Sequence, residues 1–75
     1  MPLVDIHLIR GVFTREQKQA MIENVTDAMI AVEGEKMRGV TWVKISEVES
    51  GEWAIGGESL TTEKVKRMAQ GVGVS

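Results

Sequence analysis

Few residues of this chain have side chains that could catalyse a reaction. The 75 residues contain one histidine, His7, and no cysteine, which excludes a disulfide framework, thiolate metal ligation and a cysteine nucleophile. A lone histidine on a strand is more often structural or exposed than catalytic. The residue of most chemical interest is Pro2, because removal of the initiator Met1 before a small residue would leave a secondary amine at the N-terminus.

A free N-terminal proline is more basic and more nucleophilic than an ordinary α-amino group. Apolar surroundings or a nearby cation would lower the pKa of this amine toward the pH of the cell, because both disfavour the charged ammonium. Pro2 could then act as a general base when neutral and as a general acid when protonated. Many chains begin with Met-Pro, so these two residues alone are weak evidence for a catalytic proline. The case depends on the elements that surround Pro2.

The pattern of apolar residues places Pro2 at the start of a βαβ unit. Apolar and polar residues alternate over Leu3–Ile9 as in a β-strand. Thr14–Gln17 is a capping box, and it predicts an amphipathic helix of about five turns that ends at Gly34. A second strand is predicted over Val40–Val48, parallel to the first and reached by a right-handed crossover. The apolar stripe of the helix is predicted to contain Ile22, Val25, Met29 and Val32, with Met21 and Ala28 beside them.

The last third of the chain adds small elements to this unit. Residues 53–57 predict a short hairpin or bulge, and Thr61 or Thr62 could cap a short helix that runs to about Ala69. Residues 70–75 are expected to be a flexible tail. The predicted fold class is α+β, a small βαβ subunit with a C-terminal hairpin and short helix, in one domain over residues 1–75.

Composition excludes several classes of function. The net charge is −2, and the sequence has no basic stripe of the kind that nucleic-acid binding requires. No apolar run approaches the roughly 20 residues of a membrane span, and no secretory signal is visible at the N-terminus. We therefore expect a cytoplasmic protein with no metal, cofactor, nucleic-acid or membrane partner.

Length predicts self-association. Proteins below about 70–80 residues usually need disulfides, a metal or partner subunits to be stable. A βαβ unit with one helix also leaves one face of its sheet bare, and a two-stranded sheet alone is marginal. We therefore expect the chain to form a homo-oligomer, in which other copies cover the bare face of the sheet.

Three segments together resemble the 4-oxalocrotonate tautomerase family of small subunits with an amino-terminal proline. They are Pro2–Gly11, then Glu16–Lys18 at the start of the helix, and Trp53–Glu58 in place of the family's Phe-Gly-Ile-Gly-Gly-Glu. Their order and spacing agree from Pro2 to about Arg67, with one residue inserted near Phe13. Each segment is weak evidence alone, but all three in register identify the family.

The resemblance implies a hexamer, usually a trimer of dimers, in which Pro2 moves a proton between carbon and oxygen in an enol–ketone interconversion. In the family, two arginines hold the carboxylate of the substrate and polarise its carbonyl. An aromatic residue near the hairpin lines the pocket, and Trp53 occupies that position. Ile9 matches an aliphatic residue of the pocket.

Neither family arginine is present. Val12 and Trp42 stand in the two positions, and the nearest cations are Arg10, Arg38 and Lys44. Any of these could replace an arginine, or each could be a solvated surface charge. The replacement of both arginines, by Val12 and Trp42, predicts loss of dicarboxylate specificity. It favours a small monoacid or aromatic enol as the substrate.

Two other functions stay open from the sequence. The same proline could serve hydration, dehalogenation or decarboxylation, with Glu47 or Glu52 handling water. The chain could also be a non-catalytic oligomeric binding protein with a relict pocket, which the missing arginines favour. Retention of Met1 would support the non-catalytic hypothesis, because it converts the Pro2 amine into an amide.

Overall fold

The computed structural model describes residues 2–71 as a succession of short elements. Their bounds are β1 Leu3–Ile9, α1 Arg15–Glu33, a 3₁₀ helix Glu35–Val40, β2 Trp42–Val48, β3 Trp53–Ile55, β4 Glu58–Leu60 and α2 Thr62–Ala69. This order is the predicted α+β arrangement, a βαβ unit followed by a hairpin and a short helix. Four residues of the predicted tail, 72–75, lie outside the described residues, as does Met1.

Strands β1 and β2 form a two-stranded sheet. At its start the N–H of Trp42 donates to the carbonyl of Pro2 at 3.0 Å, and at its end the N–H of Arg10 donates to the carbonyl of Val48 at 2.8 Å. Both strands therefore run in the same direction, as the crossover rule predicts. Side chains along β1 alternate between exposed and half-buried as far as Leu8, which confirms the predicted faces.

Helix α1 begins at the predicted capping box. The N–H of Gln17 donates to the Thr14 hydroxyl at 3.1 Å, and the N–H of Thr14 donates to the Gln17 side chain at 2.8 Å. Its apolar stripe differs from the prediction in the last turn. Val32 is 89% exposed and Ile30 is the buried residue, because these two positions lie about 160° apart around the axis of a helix with 3.6 residues per turn.

The second strand starts later than predicted, because the chain after α1 forms the 3₁₀ helix. Thr41 stabilises this turn, since its single hydroxyl proton is shared between two acceptors, the carbonyl of Met37 at 2.8 Å and the carboxylate of Glu33 at 2.9 Å. Such local side-chain bonds compete with a strand ladder. Val40, predicted to begin the strand, is consequently the last residue of the 3₁₀ helix.

The C-terminal elements confirm the predicted hairpin and helix. Strands β3 and β4 are antiparallel, with Trp53 opposite Leu60. Helix α2 is capped by Thr61, whose hydroxyl accepts from the N–H of Lys64 at 3.2 Å. The turn between the strands is Gly56-Gly57, as the sequence predicts.

The chain divides into two compact units. The first contains the described residues up to Ile6 together with Thr14–Ser46, and the second contains His7–Phe13 together with the described residues from Glu47 onward. Across the described residues, only Ile30 in the first unit and Ile9 in the second are buried. Neither helix of this part of the chain has the length and apolarity that crossing a bilayer would require.

Candidate active site

Pro2 is half-buried at the entry to β1. Its carbonyl accepts the 3.0 Å hydrogen bond from Trp42 described above. A proline nitrogen has no N–H to give to a sheet, so the ladder holds this residue through its carbonyl alone. The Pro2 nitrogen therefore lies at the start of a parallel strand pair without taking part in its backbone hydrogen bonds.

The exposed side of β2 in the first unit carries Trp42 and Lys44. Trp42 is 59% exposed. The Lys44 ammonium lies 3.7 Å from a carboxylate oxygen of Asp5, and the other oxygen of Asp5 accepts a 3.0 Å bond from the Ser46 hydroxyl. The distance from Lys44 exceeds that of a hydrogen bond, so this cation is loosely held.

Arg38, in the 3₁₀ helix after α1, is held much more firmly. Its guanidinium makes two hydrogen bonds to the carboxylate of Glu35, at 2.7 and 3.2 Å, and one to Asp27 at 3.1 Å. The bond to Glu35 is the main cause of a raised pKa at Arg38, and it holds the pKa of Glu35 below its ordinary value. The guanidinium N–H groups that would bind a substrate carboxylate are therefore already bonded to carboxylates of the same chain.

Arg10 is also paired, within the second unit. Its Nε donates to Glu49 at 2.6 Å, and its Nη1 lies 3.6 Å from Glu47. The hydrogen bond to Glu49 is the largest cause of the raised pKa of Arg10. All three candidate cations thus have carboxylates of their own chain as neighbours, with Lys44 at the longest distance.

Val12 lies in the turn that follows β1. Its N–H donates to the carbonyl of Ile9 at 3.4 Å. Gly11 adopts a φ of +88°, and a Cβ at this position would lie 3.2 Å from the methyl group of Thr62. The Thr62 hydroxyl donates to the carbonyl of Arg10, so the first residue of α2 fixes the shape of this turn.

A hollow of about 270 Å³ lies beside this turn, wholly within the second unit. Of its lining residues, Ile9 is 6% exposed and Trp53 is half-buried. The hollow is therefore where two of the predicted pocket residues meet. Its lining consists of His7, Leu8, Ile9, Phe13, Trp53, Ile55, Leu60, Val65 and Met68.

The predicted site residues fall into two groups, one in each unit. The first group is Pro2, Arg38, Trp42 and Lys44, and the second is Ile9, Arg10, Val12 and Trp53. Sequence reasoning missed Phe13 as a lining residue, although the inserted position beside it was a signal that this turn differs from the family. Within residues 2–71, no three carboxylate or imidazole groups are arranged to hold a metal ion.

Comparison with known proteins identifies the family of this chain. The model of a family described as tautomerase enzyme matches residues 2–63. A probable tautomerase K2 of Dickeya dadantii (strain 3937) is 41% identical over 64 residues, which cover 85% of this chain and 94% of that protein. A probable tautomerase of Helicobacter pylori (strain J99) is 40% identical over 62 residues, covering 80% and 90% of the two chains.

Solved structures give the same result for the fold. A 4-oxalocrotonate tautomerase isozyme of Methylibium petroleiphilum has a TM-score of 0.69 and 38% identity, covering 88% of this chain and 100% of that one. DmpI of Helicobacter pylori has a TM-score of 0.67 and 41% identity, covering 79% and 95%. The chain belongs to the tautomerase family, and its fold is the tautomerase-like βαβ fold with an added hairpin.

Proposed function

We propose that this protein is a tautomerase-like isomerase in which the amino-terminal Pro2 transfers a proton between oxygen and carbon of a small enol acid. The observation that carries the proposal is the hydrogen bond from Trp42 to the carbonyl of Pro2. It holds the carbonyl of Pro2 at a defined place at the start of β1, paired with the backbone N–H of Trp42. A general acid–base group needs such fixed geometry before its pKa matters.

The reaction needs only one group that both accepts and donates a proton. The neutral Pro2 nitrogen takes the proton of the enol hydroxyl, which leaves an enolate and a Pro2 ammonium. As an oxygen electron pair of the enolate forms the C=O bond, the C=C π electrons take the proton from the ammonium, which forms the new C–H bond and returns the amine to its neutral state. This cycle requires a free amine, and therefore a chain from which Met1 has been removed.

The residues in the two arginine positions define the proposed substrate class. Val12 provides no charge, and Trp42 presents an exposed indole. Arg10 and Arg38 each bind carboxylates of their own chain through short hydrogen bonds. We infer that the substrate is a monoacid, and that an aryl group on it is favourable because indole stacks on planar rings.

Burial supports an assembly of several copies of the chain, and we propose a hexamer built as a trimer of dimers. Of the residues described, only Ile9 and Ile30 are buried. On the sheet face of the first unit, Leu3 and Trp42 are each 59% exposed. Apolar surface of this size on a small subunit is typical of a face that another copy covers.

One observation favours a non-catalytic alternative, a binding protein with a relict pocket. Every candidate cation has a carboxylate neighbour within 4 Å in its own chain, so none is free to polarise a carbonyl without breaking that contact. The hydration alternative gains no similar support, since Glu47 lies against Arg10.

The deciding experiment uses protein whose N-terminus at Pro2 has been verified by intact mass. Turnover of the enol of phenylpyruvate and of 2-hydroxymuconate is followed by absorbance for the wild type, for Pro2→Ala, and for a variant with one residue inserted before Pro2. We expect a large loss of turnover in Pro2→Ala, abolition by the insertion, and a higher kcat/KM for the aryl monoacid than for the dicarboxylate. Unchanged rates in both variants would mean that Pro2 is only the first residue of a strand. Absence of turnover by the wild type above the uncatalysed rate would establish the binding-protein alternative.

A further inference from the structure

Helix α2 is too short to be a stable helix on its own. It has eight residues, Thr62–Ala69, and isolated helices shorter than about 12–15 residues are marginal in water. Its first turn is capped by the hydroxyl of Thr61, which accepts from the N–H of Lys64 at 3.2 Å, but one cap does not make a helix of this length stable. The helix therefore depends on its contacts with the rest of the second unit. The match to the tautomerase family model ends at residue 63, so residues 64–69 lie beyond it.

Apolar contacts hold α2 only weakly. None of its residues is buried, since Val65 is half-buried and Met68 is 46% exposed. Apolar burial stabilises in proportion to the area removed from water, so these contacts contribute little. Helix α1 differs in both respects, because it has 19 residues and contains the buried Ile30. We therefore expect α2 to open more easily than α1.

Thr62 joins the start of α2 to two other segments of the second unit. Its hydroxyl donates to the carbonyl of Arg10 in the turn after β1, and its N–H donates to the Ser50 hydroxyl in the loop after β2, at 2.9 Å. Its methyl group lies against Gly11 in the same turn. Both hydrogen bonds are exposed, so each contributes modestly to stability. Together they fix the place at which the helix begins.

A further contact connects α2 to the hairpin. The Lys64 ammonium donates to the carbonyl of Ser59 at 3.2 Å and lies 3.5 Å from the carboxylate of Glu58. The hairpin also has hydrogen bonds of its own, because β3 pairs with β4 and the N–H of Gly51 donates to the carbonyl of Leu60 at 2.9 Å. Undocking of α2 therefore leaves the hairpin bonds in place and frees the turn after β1.

We propose that α2 is a strap that undocks and unfolds in one step while α1 stays folded, and that Thr62 is the residue that holds it closed. Docking supplies the contacts without which eight residues do not stay helical, so loss of docking and loss of the helix coincide. The turn at Gly11 loses its Thr62 contacts in the same step. The carbonyl of Arg10 is thus coupled to a helix residue 52 positions later. This opening needs no turnover, and it is independent of the proposed reaction at Pro2.

Native-state hydrogen exchange of the whole protein, followed residue by residue by NMR, tests this directly. The N–H of Val65 reports on the strap, since it donates to the carbonyl of Thr61 at 3.1 Å, and the N–H of Val25 reports on the middle of α1. The N–H of Val12, which donates to the carbonyl of Ile9 at 3.4 Å, reports on the turn. We expect the protection factor of Val65 to be lower than that of Val25 by about tenfold or more, because weakly held elements open before the whole protein unfolds.

Thr62→Val is the matched variant, because valine keeps the branched shape and the methyl group and removes only the hydroxyl. We expect it to lower the protection of Val65 and Val12 by about two- to tenfold, the effect of one hydrogen bond, and to leave Val25 unchanged. The control is Thr26→Val, which removes a 2.7 Å hydrogen bond from a threonine hydroxyl to a carbonyl one turn earlier in α1. This control should leave the protection of Val65 unchanged.

Three results would overturn this assignment. Equal protection of Val65 and Val25 in the wild type would show that α2 opens only when the whole protein unfolds. That comparison needs no variant, so it decides the matter even if Thr62→Val does not fold. An equal fall in protection at both amides in Thr62→Val would also show global unfolding alone. An unchanged Val65 in that variant would show that Thr62 does not hold the strap closed.

Discussion

Lys44 is the cation that a substrate carboxylate should recruit most easily, and replacing it with methionine tests this directly. The Lys44 ammonium lies 3.7 Å from Asp5, and its side chain is 59% exposed. Exposed ion pairs of this kind contribute about 0–1 kcal/mol to stability. Arg38, by contrast, makes three hydrogen bonds of 2.7–3.2 Å to Glu35 and Asp27, so recruiting it would break all of them.

The size of the effect follows from the difference between two contacts. A charge-assisted hydrogen bond to a carboxylate contributes about 1.5–3 kcal/mol, and releasing Asp5 costs at most about 1 kcal/mol. With this cost subtracted in full, the net contribution of Lys44 to monoacid binding is about 0.5–2 kcal/mol, equivalent to a factor of about 2–30. We therefore expect Lys44→Met to raise KM for the enol of phenylpyruvate by about this factor, and Asp5→Asn to lower it slightly.

Steady-state kinetics with matched variants provides the measurement. Methionine keeps most of the apolar stem of lysine and removes its charge, and Arg38→Met is the control because that guanidinium is already occupied. KM is measured for wild type, Lys44→Met, Arg38→Met and Arg10→Met at constant ionic strength, with circular dichroism to confirm folding. An unchanged KM in Lys44→Met together with a raised KM in Arg10→Met would refute this reasoning and assign the contact to Arg10.

The other predictions concern assembly and stability. Sedimentation of the wild type should show a hexamer at micromolar concentration, and a stable folded monomer would contradict the proposed assembly. Gly11→Ala should destabilise the fold by about 1–3 kcal/mol in denaturant unfolding, because it combines a positive φ with the close methyl group of Thr62. Thr14→Ala should cost about 1 kcal/mol in the same assay, since it removes one half of the capping box. The hydrogen bond to Arg38 lowers the pKa of Glu35 from its ordinary value of 4.5. The contribution of this pair to stability is therefore present above pH 4.5 and is lost as the pH falls through the lowered pKa. In thermal unfolding, Glu35→Gln should show a smaller fall of the melting temperature in acid than the wild type.

Local signals in the sequence were sufficient for most elements of the fold. The capping box at Thr14 specifies the start of α1 through two hydrogen bonds that involve residues three apart. The Gly-Gly turn and the threonine before α2 act in the same local way. The 3₁₀ helix could not be predicted, because it depends on Thr41 reaching back to Glu33 and Met37 after α1 has already formed.

The candidate site was less predictable, because it depends on partners distant in sequence. Motif and register in the sequence single out Pro2, Ile9 and Trp53. The pairing of Arg10 with Glu49, 39 residues away, follows only from the parallel strand register that brings the ends of β1 and β2 together. The same holds for Phe13, whose position in the hollow is set by contacts of its turn with Thr62 rather than by any local pattern.

The division of the chain into two units also has a consequence for the order of synthesis. His7–Phe13 belongs to the same unit as the residues from Glu47 onward, and the Thr62 hydroxyl binds the carbonyl of Arg10 across 52 positions. Ile9 therefore has none of its hairpin and α2 neighbours while the first half of the chain is being made. Helix α1 can form early from local contacts, but the second unit can complete its contacts only after α2 has been translated. A stop codon before α2 would remove the residue that fixes the Gly11 turn and so disrupt a pocket wall formed near the N-terminus.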